Sequence, residues 1–140
     1  MKKTIYTLSL IIIVFLFGAC SKTTDGADIT LAQQLLQDKT WYLDYSIISS
    51  STGTKNKNYV GQSTYFVNYL ANGVTKDSDG INGTYTVEKI NNQLQIHVQA
   101  KTNNASSVEF IYNIESVGAK NLVLSYQLNN QQSKLYYSAR

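Results

Sequence analysis

From Trp41 onward the apolar period becomes two in run after run, and that period commits the chain to extended segments with one dry side and one wet side. In "WYLDYSI", Trp41, Leu43, Tyr45 and Ile47 share one face, while Tyr42, Asp44 and Ser46 point the other way. Leu94, Ile96 and Val98 alternate with Gln95, His97 and Gln99. Val108, Phe110, Tyr112 and Ile114 alternate with Glu109, Ile111, Asn113 and Glu115, and Leu122, Leu124, Tyr126 and Leu128 face away from Ser125 and Gln127. Turn signals separate the runs: Asn72-Gly73, Asp79-Gly80, Asn91-Asn92, Asn103-Asn104, Gly118 to Asn121 and Asn129-Asn130. Asn and Gly accept the positive φ of tight hairpin turns, so consecutive runs pair antiparallel.

The spacing predicts about eight strands, near residues 40–49, 62–71, 73–77, 82–89, 93–101, 106–116, 121–128 and 133–139. Half-dry antiparallel strands hide their apolar faces and their edges together by curling into an all-β up-and-down barrel. A two-sheet β-sandwich of the same strands stays open, because local alternation does not report closure. Before the strands, "TLAQQLLQDK" predicts one short helix: Thr30 is placed to cap it with Gln33 three residues on, and Leu31, Ala32, Leu35 and Leu36 share a stripe. That helix is expected to cover one barrel mouth.

The start of the chain reads as an address. Lys2 and Lys3 precede an apolar stretch from about Leu8 to Ala19, which is the pattern of an export signal and shorter than the roughly 20 residues a spanning helix needs. Phe17, Gly18, Ala19 and Cys20 then resemble a bacterial lipobox, in which the cysteine is lipidated and becomes the first residue, with Phe17 standing where leucine is commoner. A free thiol at Cys20 and a cut after Ser21 are the competing readings. On the lipobox reading the domains are a signal peptide at 1–19, a lipidated cysteine with a flexible tether at 20–28, and a barrel domain at 29–140.

Cleavage leaves 121 of the 140 residues, enough for one modest core. With Lys2 and Lys3 gone, ten basic residues face nine acidic ones, and the remaining lysines are scattered singly. Nucleic-acid binding, which wants a clustered basic face, is therefore not expected. No proline and no second cysteine follow Cys20, so no disulfide and no zinc site is expected.

"TWYLDY", "YFVNYLANG", "NGTYTV", "LQIHV" and "FIYNIESVGAKNLVLSY" resemble the small lipocalin-like domains of Bacteroidota lipoproteins, over about residues 38–138. The likeness lies in aromatic and turn positions. Lipocalins proper often carry glycine two residues before the first-strand tryptophan, where this chain has Lys39. The resemblance implies a lipocalin-like barrel, an outer-membrane lipid anchor at a bacterial cell envelope, and the binding of a small hydrophobic or glycan-like ligand or a protein partner.

No residue set announces catalysis. His97, the sole histidine, sits between glutamines on a wet face, and the nearest approach to a G-x-S-x-G motif is "GQSTY". Glu109 and Glu115 are six residues apart on one strand, roughly 20 Å, beyond the 5–9.5 Å a glycosidase pair requires. "DSDGING" has its glycine at the fourth position and not at the sixth that an EF-hand needs, so a polar turn is expected from Asp77 and no metal. Neither cofactor nor catalytic residue is expected; the alternative is a small calycin-like enzyme whose chemistry lies in a cavity. A membrane-spanning barrel is disfavoured, since several strands are shorter than such barrels use. The candidate ligand-binding residues are Trp41, Tyr45, Tyr69, Tyr112 and Tyr126, which offer flat apolar faces and polar tips. An eight-stranded barrel is only just wide enough for its own side chains or one small ligand, and a filled interior is the preferred expectation.

Overall fold

The computed structural model describes residues 25–101 and 107–140; the leader, Cys20, the start of the tether and the Asn103-Asn104 turn lie outside the described residues. Among the described residues one helix, α1 (Asp25–Leu36), precedes nine strands. These are β1 (Thr40–Ser50), β2 (Gly53–Asn58), β3 (Phe66–Tyr69), β4 (Val74–Asp77), β5 (Asn82–Ile90), β6 (Gln93–Lys101), β7 (Ser107–Val117), β8 (Asn121–Leu128) and β9 (Gln131–Ala139). Each strand from β3 to β9 pairs antiparallel with the next, and β1 pairs with both β3 and β9, which closes an eight-stranded barrel. Closure excludes the sandwich.

The Asn-Asn turns behave as their chemistry requires: Asn91 and Asn92 have φ of 51° and 64°, and Asn129 and Asn130 have 48° and 61°, the paired positive values of a tight hairpin. One strand was not anticipated. β2 carries "GTKNKN", entirely exposed, and forms an arm against the second half of β1, with Tyr45 opposite Asn58 and Ser50 opposite Gly53. It has no apolar face because it lies outside the barrel, so alternation could not announce it. Its lysines blunt an edge that would otherwise invite further pairing. The expected strand over 62–71 shrinks to 66–69, since residues 59–65 form the crossing from β2 into the barrel.

The helix starts five residues earlier than expected. Thr30 does not cap it: its Oγ1 donates back to the Gly26 carbonyl at 2.9 Å from inside the helix. Residues 25–28 thus belong to α1 and not to a tether, and Asp28 accepts a hydrogen bond from Lys89 Nζ at 2.8 Å. The buried stripe is Ile29, Ala32 and Leu36, with Leu31 exposed. Trp41, fully buried, donates from Nε1 to the Leu36 carbonyl at 2.9 Å, and Lys39 Nζ donates to the Leu35 carbonyl at 2.7 Å while lying over the Trp41 ring. The helix C-terminus is thereby satisfied and locked onto the barrel. Ala32 and Leu36 of α1 pack with Trp41, Ile96 and Leu122 in the buried cluster, so side chains fill the barrel beneath the helix.

A β-bulge at Asp44 changes which residues of β1 face inward. The pairing with β9 runs Leu43 to Tyr137 and then Tyr45 to Tyr136, skipping one residue. Trp41 and Leu43 point in as the alternation says, but beyond the bulge Ser46 is buried and Tyr45 is exposed. The bulge is held by neighbours: the Asp44 carbonyl accepts from Tyr59 N–H at 2.7 Å, and its carboxylate from Arg140 Nη2 at 2.9 Å.

Candidate functional site

The helix closes the end of the barrel where β3, β5, β7 and β9 finish. The opposite end holds a cavity of about 240 Å³. Its wall combines strand starts and ends from around the barrel: Leu43 from β1, Phe66, Val67 and Tyr69 from β3, Thr75 and Asp77 from β4, Val98 from β6, Phe110 and Tyr112 from β7, Leu124 from β8 and Tyr137 from β9. Tyr65 and the β4–β5 turn, with Ser78, Asp79 and Ile81, complete the rim. The interior is therefore filled at the helix end and hollow at the other, in place of the uniformly filled interior expected.

Tyrosines dominate the hollow part. Tyr69 is 2% exposed and meets Tyr85 edge-on at 5.0 Å between centroids. Tyr85 is spent on structure: its hydroxyl donates to the Leu70 carbonyl at 3.1 Å and accepts from Gln37 Nε2 at 3.2 Å. By contrast the hydroxyls of Tyr69, Tyr112 and Tyr137 have no partner among the described residues, yet no buried polar side-chain atom is sealed away unpaired. The three hydroxyls accordingly open onto the cavity, ready to donate or accept.

Burial holds these phenols neutral. Burial pushes Tyr69 well above the ordinary phenol value, with further upward contributions from Tyr137, Tyr112, Tyr85 and Asp77. Tyr112 is pushed up to about 12, chiefly by burial and then by Tyr126 and Asp77. Tyr137 is raised by burial, then by Tyr112, Tyr126 and Asp77. Asp77 contributes to the rise of all three and lines the same cavity. Its carboxylate is fixed in place by accepting the backbone N–H groups of Asp79 and Ile81 at 2.9 Å each. The "DSDGING" segment is thus a carboxylate-capped turn, as expected, and among the described residues no group of three metal-ligating side chains converges.

Of the five sequence candidates, Tyr69 and Tyr112 line the cavity. Tyr126 stands behind, its ring edge-on to Tyr112 at 5.6 Å, outside the lining. Trp41 is no part of the cavity; it is packed under the helix at the filled end. Tyr45 is outside the barrel altogether, stacked on Tyr136 at 5.0 Å over a shallow groove made by Asn56, Lys57, Asn58 and Val60, because the Asp44 bulge reverses its face. Tyr137 and Asp77 were missed as cavity-lining residues. The alternation of "KLYYSA" does contain the signal for Tyr137, which pairs with Leu122 and Leu43, but two adjacent tyrosines hide which one points in. His97 lies on the outer wall as expected, 3.3 Å from both Glu109 and Gln95.

No protein-family model matches the chain, and no curated protein matches it. Among solved structures the chain is similar to the crystal structure of a lipocalin-like protein from Bacteroides uniformis, at 14% sequence identity and a TM-score of 0.38, over 73% of this chain and 96% of that one.

Proposed function

We propose that the protein is a lipid-anchored binding domain of a bacterial cell envelope, most simply at the outer membrane, which holds a small amphipathic ligand in the hollow end of its barrel without transforming it. The observation that carries the reading is the cavity of about 240 Å³ lined by three tyrosines whose hydroxyls have no partner among the described residues. A barrel serving only as a spacer has no need to leave such groups unpaired, since a packed interior would satisfy or exclude them.

The anchor gives the cavity a direction. Cys20 lies five residues before Asp25, a reach of at most roughly 18 Å, and α1 covers the barrel end opposite the cavity. A diacylated or triacylated Cys20 would hold the filled end toward the membrane and turn the mouth away from it.

The binding reading is tested by soaking the Cys20→Ser protein with an environment-sensitive apolar dye and comparing it with a Ser78→Trp variant. Ser78 is on the rim, and its backbone bond to the Phe66 carbonyl survives the substitution. Saturable dye fluorescence that is lost in Ser78→Trp supports a working cavity. Equal fluorescence in both, or none in either, removes it.

A further inference from the structure

The cavity's charges and rings, taken together, say more about its ligand than its volume does. Among its fifteen lining residues there is no cationic side chain and there are two carboxylates, Asp77 and Asp79. Six of the lining residues are aromatic: Tyr65, Phe66, Tyr69, Phe110, Tyr112 and Tyr137. Aromatic faces carry partial negative charge and attract cations, most strongly where water is displaced. Asp77 is prepared for such a partner. Its Oδ1 is taken by two backbone N–H groups, which fix the carboxylate, and its Oδ2 has no hydrogen-bond partner among the described residues. A fatty-acid or phosphate headgroup would face two carboxylates and neutral phenols with no cation to receive it.

We infer that the cavity is selective for a small organic cation, an alkylammonium head with an apolar or aromatic body, the head between Asp77 and the tyrosine hydroxyls and the body between the rings. This rests on the binding role proposed for the same cavity and specifies its ligand class. The volume, below the usual range for drug-sized ligands, limits the guest to about the size of an arylalkylamine. The carboxylate supplies discrimination by charge, since the neutral isostere gives up a charge-assisted hydrogen bond and the anion meets repulsion.

The test uses three probes of nearly equal shape on the Cys20→Ser protein by titration calorimetry: phenethylammonium, phenethyl alcohol and phenylpropionate. The cation is expected to bind at least about tenfold more tightly than either isostere, and Asp77→Asn is expected to abolish that preference while leaving the alcohol unchanged. Asparagine keeps an Oδ1 for the turn; should the variant still misfold, Asp79→Asn, on an exposed residue, is expected to narrow the preference without touching the turn's acceptor. Equal or tighter binding of the alcohol or the anion overturns the inference and leaves the cavity reading standing. If none of the three binds, the inference falls, and the dye experiment with Ser78→Trp then decides whether the cavity reading falls with it.

Discussion

Trp41 Nε1 lies 2.9 Å from the carbonyl oxygen of Leu36, and this one bond ties the last turn of the helix to the first strand of the barrel across five residues of chain. Both side chains are fully buried, so the bond is made away from water at a helix end, where the last carbonyls have no further turn of helix to receive them. Trp41→Phe keeps an aromatic ring but deletes the donor, leaving a buried carbonyl unpaired and a gap where the second ring stood. The expected loss is about 2–4 kcal/mol of unfolding free energy, read as a lower midpoint in urea denaturation with an unchanged slope. Because Trp41 is remote from the hollow end, folded Trp41→Phe should bind cavity probes as the parent does.

Gly83 is a second point where the fold depends on one residue. Its φ is ordinary, yet a Cβ there would sit 2.3 Å from the Gln99 carbonyl oxygen and 3.0 Å from Ala100 Cα, both backbone atoms of β6. Gly83 pairs with Ala100 on one side and Thr75 on the other, so no flexible side chain can yield. Gly83→Ala is expected to destabilise by about 2 kcal/mol or more. Hydrogen exchange should locate the effect at the β4–β5–β6 seam, with faster exchange of amides around Thr84 and Gln99 than in β8 and β9.

The bulge at Asp44 explains why the barrel was legible in the sequence while its cavity was only half so. Alternation and Asn-Asn turns are local, and they identified seven of the eight barrel strands closely, with β3 overextended. A bulge leaves no trace in a strand whose two phases are both partly apolar: Tyr45 and Ile47 on one, Ile48 on the other, so either register looks acceptable. The same blindness covers β2, whose "GTKNKN" has no dry face, and the extension of α1 to Asp25, which gains an ion pair with Lys89, distant in sequence. Tyr69 and Tyr112 were readable because no register shift separates them from their neighbours in the β3–β4 and β6–β7 pairings. Asp77 was not, since its role comes from the barrel bringing β4 beside β7 and β9 around one hollow.

The exposed stack of Tyr45 on Tyr136 follows from that bulge and can be separated from the cavity by mutation. An exposed aromatic pair of this kind is worth about 0.5–1.5 kcal/mol. A double-mutant cycle with Tyr45→Ala and Tyr136→Ala should return a coupling in that range, with each variant binding the cavity dye like the parent. Tyr137→Ala, one residue along and facing inward, should weaken dye binding.

Buried phenols make stability fall in alkali. Tyr112 has an ordinary value near 10 in the unfolded chain and about 12 when folded, so the folded state holds its proton over a range in which the unfolded state gives it up. The stabilisation is complete below pH 10 and is lost as pH rises from about 10 through 12, where it amounts to on the order of 3 kcal/mol. Tyr69 and Tyr137 are raised in the same direction and should steepen the loss. Tyr112→Phe is expected to flatten the alkaline limb of the stability curve, and tyrosinate absorbance should show a late-titrating set that ionises together with the loss of near-ultraviolet circular dichroism.

The orientation on the membrane yields the last expected outcome. Lys120, in the β7–β8 turn, is exposed at the helix-covered end, and Gln131, at the start of β9, is exposed at the hollow end. In a protein whose Cys20 is lipidated, a cysteine introduced at either position is the free thiol available to a fluorophore. A short reach from Cys20 to Asp25 keeps the covered end within a few nanometres of the bilayer. A quencher carried on lipid headgroups should therefore dim a label at Lys120→Cys more than one at Gln131→Cys. With Cys20→Ser both labels should escape quenching and the protein should leave the membrane fraction. Equal quenching at the two ends would mean that the chain before Asp25 does not orient the barrel, and retention of the Cys20→Ser form on membranes would mean that something other than an acyl chain at Cys20 holds it there.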